Sequence, residues 1–72
     1  MTLDELNPGE SARITGIDVE DGSTFKPITM GFAEGSTVSC VTKMFQTIEF
    51  SVYGTHIAIS KQTAKKFICE KI

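Results

Sequence analysis

The side chains most able to bind a soft metal or act as nucleophile and base are one histidine, His56, and two cysteines, Cys40 and Cys69. Nucleophilic catalysis needs a nucleophile, a base and a group that orients the base. Thr55 and Ser60 flank His56, but they fall in a turn and at a strand end, and no carboxylate is placed by the sequence to hold the imidazole. The chain therefore reads as a non-enzyme. A closed structural metal site needs about four ligands, often paired at short separations. No two of Cys40, His56 and Cys69 fall at such spacing, so the cysteines read as small core or edge hydrophobes and His56 as a solvated strand residue. No cofactor is expected, and the residues leave room for at most weak divalent metal binding by carboxylates and histidine. The six glycines are dispersed, with no strand leading into a glycine-rich phosphate loop.

Charge and size narrow the classes further. Residues 1–25 carry six acids against Arg13, a balance of −5, whereas residues 26–72 carry six lysines against three acids, a balance of +3. The lysines are scattered over separate expected elements rather than forming a basic stripe interleaved with aromatics, which argues against nucleic acid as a partner. A chain of 72 residues, 40% of them hydrophobic, suits one small globular domain over 1–72 without room for a deep cleft. Two cysteines in apolar runs are too few for a disulfide framework, which points to a reduced, cytosolic protein. No stretch approaches the roughly 20 apolar residues of a membrane span. Residues 1–9 lack the basic start and apolar stretch of a leader, so a soluble, unexported protein without membrane insertion is expected.

The elements that must position these residues are mostly strands. Thr2 and Glu5 have the spacing of a capping box, which predicts a one-turn helix over Thr2-Leu3-Asp4-Glu5-Leu6, ended by Asn7-Pro8-Gly9. Ser11–Ile17 alternates in period two and predicts the first strand. An acidic turn over 18–24 precedes a segment in which Pro27 and Gly31 fit the start and stop of a helical turn over about 26–30. Gly35 can supply the positive φ of a turn at 32–36. Thr37–Lys43 and 47–53 then predict a hairpin that turns near 43–46, and a second turn at Tyr53-Gly54-Thr55 leads into a strand over 56–60. Ser60 can cap a helical turn over 61–65 before a last strand over 67–72. Ile14, Val38, Ile48, Phe50, Val52, Ile57, Ile59 and Ile68 are the expected core, with Ala64 facing inward. Five short strands at intervals of about ten residues predict an all-β fold, a small barrel that hides its edges by closing.

Apolar residues in the turns stand out. Met44 and Phe45 crown one hairpin and Phe32 follows Gly31. Such residues either form a protein-binding patch or plug the barrel ends, and on the first alternative Phe32, Met44 and Phe45 are the candidate partner-binding residues.

Three stretches together resemble a known family. Leu3-Asp4-Glu5-Leu6-Asn7-Pro8-Gly9-Glu10-Ser11-Ala12-Arg13-Ile14, Met30-Gly31-Phe32-Ala33-Glu34-Gly35-Ser36-Thr37-Val38 and Gly54-Thr55-His56-Ile57-Ala58-Ile59-Ser60, with Ala64 and Ile68, are similar in order and spacing to FeoA, the ferrous iron transport protein A family. The resemblance spans essentially the whole chain. It implies an SH3-like β-barrel in the cytoplasm that assists ferrous iron uptake through contact with FeoB, a membrane transporter carrying a GTPase domain. Similar domains end metal-dependent repressors, so the resemblance also implies, as an alternative, a metal-responsive module binding Fe(II) or Mn(II). The chain departs from the family pattern at Phe25-Lys26-Pro27-Ile28-Thr29-Met30, which is poorer in arginine than the usual basic helix. A second departure is Lys43-Met44-Phe45-Gln46-Thr47, a shorter and more apolar central loop.

Overall fold

A computed structural model describes residues 1–18 and 32–72. The turn expected after Asp18 and the helical turn expected over 26–30 lie outside the described residues. The chain opens with a 3-10 turn, Leu3–Glu5. The backbone half of the capping box is present, because the Thr2 N–H donates to Glu5 Oε1 at 2.9 Å. The Thr2 hydroxyl instead donates to the Asp4 carboxylate. Pro8-Gly9 reverses the chain in a turn closed by the Glu10 N–H on the Asn7 carbonyl at 3.0 Å.

Five strands follow: β1 (Ser11–Ile17), β2 (Thr37–Lys43), β3 (Thr47–Val52), β4 (Thr55–Ser60) and β5 (Phe67–Lys71). They form one antiparallel sheet in the order β4-β3-β2-β1-β5. A short helix, α1 (Lys61–Ala64), joins β4 to β5, and the Thr63 N–H donates to Ser60 Oγ at 3.1 Å as a helix cap does. Register shifts between Ile14 and Gly16 in β1 and between Cys40 and Thr42 in β2 bend the sheet. Such bulges increase the local twist and let a short sheet curl over one core. Glu10 carries the β1–β2 pairing beyond the strand end, since its carbonyl accepts from the Cys40 N–H at 2.9 Å. Its side chain is ion-paired with Lys71 and accepts the Asn7 N–H. Both interactions hold its carboxyl below the ordinary carboxylate range, the Lys71 contact foremost.

The inward phase of β1 to β4 follows the alternation of the sequence. Ala12, Ile14, Val38, Cys40, Ile48, Phe50, Val52 and Ile59 are buried, and Ile57 packs partly buried against them. Leu3 and Leu6 from the 3-10 turn and Ala64 from α1 complete the core. Two expected positions differ. Ile68 is 45% exposed, because β5 turns Phe67 and Cys69 inward instead. Both phases of this strand are apolar, and the larger ring of Phe67 takes the interior while Ile68 lies across Gly16 on the outer surface. Phe32 is fully buried rather than at the surface. Its ring stands edge-on to Phe50 at 5.7 Å and 84° and tilts against Phe67 at 5.5 Å, geometries that aromatic pairs prefer.

The turns behave according to their residues. At Ala33-Glu34-Gly35-Ser36 the Ser36 N–H donates to the Ala33 carbonyl at 3.0 Å with Gly35 at φ 89°, as a type II turn requires at its third position. The β3–β4 hairpin turns on Tyr53 and Gly54, both at positive φ, 50° and 80°. That pair of angles belongs to the type I′ turn, which matches strand twist but strains any residue with a bulky side chain.

Phe50→Ala should cost about 3–5 kcal/mol, close to the whole stability of a domain this small. A thermal melt indistinguishable from that of the unaltered protein would refute its central place. Tyr53→Asn should raise the melting midpoint by a few degrees, because Asn adopts the left-handed region more readily. A lowered midpoint would mean that the Tyr53 hydroxyl bond to Ser36 Oγ, 3.2 Å long, outweighs the backbone strain.

Candidate interaction surface

The β2–β3 hairpin closes with the Met44 N–H on the Thr47 carbonyl at 2.8 Å, leaving Phe45 and Gln46 as the tip. Neither tip residue takes a positive φ. A two-residue turn without positive φ splays its strands relative to their natural twist, and the bulge between Cys40 and Thr42 lies just below it. The tip is tied down from the other side, because the Lys61 N–H at the start of α1 donates to the Gln46 carbonyl at 2.9 Å. Phe45 is 88% exposed and Met44 51%. These side chains thus stand in solvent on an anchored turn, with Lys43 before them in the chain and Lys61 bound to the tip through its backbone. They do not plug the barrel. Phe32 cannot join them at a surface, since its ring is enclosed between Phe50 and Phe67. Of the three residues singled out from the sequence, the structure keeps two together and assigns the third to the core.

His56 has a carboxylate partner that reading along the chain misses. Its Nδ1 lies 2.8 Å from Glu49 Oε2 on the outer face of the β3–β4 hairpin. The register places Ser51 opposite His56 and Glu49 opposite Ala58, so the pair is diagonal, within reach of long side chains. The hairpin itself carried the signal: a two-residue turn at Tyr53-Gly54 puts Glu49 and His56 on one face. Both side chains are substantially solvated, and the Tyr53 ring, 78% exposed, stands on the turn that joins their strands.

The cysteines are not companions of His56. Cys40 and Cys69 are free and buried, on the inner face of the sheet, whereas His56 is exposed on the outer face. Burial pushes both thiols up from their ordinary pKa, which disfavours the thiolate that would bind metal or attack an electrophile. Among the described residues no group of three or more His, Cys, Asp or Glu side chains could hold a metal ion. Among the same residues no helix is long and apolar enough to cross a membrane.

A model of the FeoA domain matches residues 1–71 of this chain. A search of curated proteins finds no match. Among solved structures, the crystal structure of an iron uptake regulatory protein (FeoA) is 26% identical with a TM-score of 0.90, over 100% of this chain and 97% of that one. The iron(II) transport protein A of Clostridium thermocellum is 27% identical with a TM-score of 0.90, over 100% of this chain and 46% of that one. FeoA of Stenotrophomonas maltophilia, complexed with zinc and described as a prokaryotic SH3 domain protein, is 24% identical with a TM-score of 0.85, over 97% of this chain and 89% of that one. The five-stranded antiparallel sheet is accordingly an SH3-like, all-β fold, and with a family model spanning almost its full length the chain belongs to the FeoA family, which is associated with ferrous iron transport.

Proposed function

We propose that this protein is a non-enzymatic, cytoplasmic accessory of ferrous iron uptake that binds a FeoB-type membrane transporter through the Met44–Phe45 tip. The observation that carries this reading is the exposure of Phe45 and Met44 on a hairpin tip tied to the start of α1 by the Lys61 N–H. An aromatic ring and a methionine kept in water cost solvation in the free protein and recover it in a partner's apolar groove. A preorganised turn loses little further entropy when it docks. The relative from Stenotrophomonas maltophilia is described as a candidate activating factor for bacterial ferrous iron transport, a role that fits action by contact rather than by chemistry.

Anchors of this kind contribute about 2 kcal/mol or more each, so Met44→Ser with Phe45→Ser should weaken transporter binding by well over tenfold. Circular dichroism should show a folded variant, since both side chains are exposed. Pull-down of the transporter and cellular iron uptake should both fall. A folded double variant that binds and supports uptake normally would refute the assignment.

A second reading, a metal-responsive module, has one observation in its favour: the Glu49 and His56 side chains could offer two ligands at the surface to a divalent ion. The zinc held by the Stenotrophomonas maltophilia relative is of that class. Two solvated ligands make a weak site, so titration with Zn(II) or anaerobic Fe(II) should give a dissociation constant of about 10 µM or poorer. Submicromolar binding abolished by His56→Ala would move the function to this site.

A further inference from the structure

Among the described residues, one margin of the sheet is left open. The two-residue turn at Tyr53-Gly54 makes Val52 and Thr55 a hydrogen-bonded pair, and alternation along the antiparallel ladder makes Phe50–Ile57 and Ile48–Ile59 the next two. The main-chain N–H and C=O groups of His56 and Ala58 consequently point away from β3. Among the described residues no backbone hydrogen bond reaches them, and both residues are exposed. The opposite margin, the outer side of β5, is covered: Thr2 bridges Ile68, and the Cys69 N–H donates to the Met1 carbonyl at 2.8 Å.

Native proteins ordinarily protect an open edge with lysine, proline, a bulge or an inward charge. β4, Thr55-His56-Ile57-Ala58-Ile59-Ser60, has none of these, and its register against β3 is unbroken. Ile57 points to the core side yet is only partly buried there.

We propose that β4 pairs antiparallel with β4 of a second copy of this chain, about a two-fold axis through Ile57. His56 then lies opposite Ala58 of the second copy, and the two such pairs exchange four N–H···O bonds that use the outward groups of both strands. Ile57 meets Ile57 of the second copy as the close, non-hydrogen-bonded pair on the core side, which completes its burial. The strand contains no Asp, Glu, Lys or Arg. Its one ionisable residue, His56, is engaged by Glu49 of its own chain and faces an alanine directly across the axis, with the two His56 residues diagonal to one another on the outer face. A strand without acidic side chains, lysine or arginine, whose one core-side isoleucine at the axis meets its own counterpart, favours a second copy over a charged extended segment. Because the β5 margin is covered, the contact is isologous and closes at two rather than propagating. The short strand and single apolar pair make the dimer weak and concentration-dependent.

The test uses the full chain at concentrations from about 10 µM to about 1 mM, the range in which small interfaces associate. Sedimentation should show the mass rising from one copy towards two. Amide exchange should show His56 and Ala58 gaining tenfold or more protection over the same range, while Ile57 and Ile59 stay protected throughout. Ala58→Pro removes an outward N–H without touching the β3 ladder and should abolish both changes. The amide reading needs no variant, so it stands even if Ala58→Pro does not fold. A protein that stays monomeric with freely exchanging His56 and Ala58 amides would overturn the proposal. So would a dimer that persists in folded Ala58→Pro, or one whose new protection falls on Met44 and Phe45 instead.

Discussion

The structure depends on the enclosure of three phenylalanine rings by a sheet with a single inner face. Phe32, Phe50 and Phe67 are fully buried and in mutual contact through Phe32. They come from a turn, a central strand and the last strand, so their contact ties together parts of the chain far apart in sequence. In a chain of 72 residues there is no second core to share the load. Once the rings are inside, the remaining inner positions are small or aliphatic, such as Ala12, Cys40, Ala64 and Cys69. Bulges in β1 and β2 then supply the curl that wraps so short a sheet around them.

The two hairpins at opposite ends of β3 solve the same geometric problem differently. The β3–β4 turn accepts positive φ at a tyrosine and so matches strand twist. The β2–β3 turn avoids positive φ and relies on a backbone bond from α1. Local strain at one end and external support at the other both produce rigid tips carrying exposed aromatic rings. Only the β2–β3 tip adds a second exposed apolar side chain, Met44 beside Phe45. The Glu49–His56 pair lies elsewhere, on the outer face of the β3–β4 hairpin.

Most strands were legible because one face of each is buried and the other is wet. Ile48, Phe50 and Val52 alternate with Glu49 and Ser51, and that contrast fixes the phase of β3. In β5 the contrast fails: Phe67 and Ile68 are both apolar, and ring volume decides which goes inside. Phe32 was misplaced for a related reason. A residue beside a turn carries no periodicity, and only its packing against Phe50 and Phe67 assigns it to the core. The Glu49–His56 pair was hidden because the partners are neighbours across a hairpin rather than along the chain. Met44 and Phe45 were readable as unusual from their place in a turn, but only their exposure in the folded chain shows that they do not plug the sheet.

The placement of the two cysteines has a consequence for the chemical setting of this family. Ferrous iron in the presence of oxygen generates peroxide, and the thiolate is the form of cysteine that peroxide oxidises to sulfenic acid and beyond. Cys40 and Cys69 are enclosed by the sheet, and burial pushes both thiols up from their ordinary pKa, which disfavours the thiolate. Access and ionisation, the two conditions for that oxidation, are both disfavoured by the same packing that stabilises the fold.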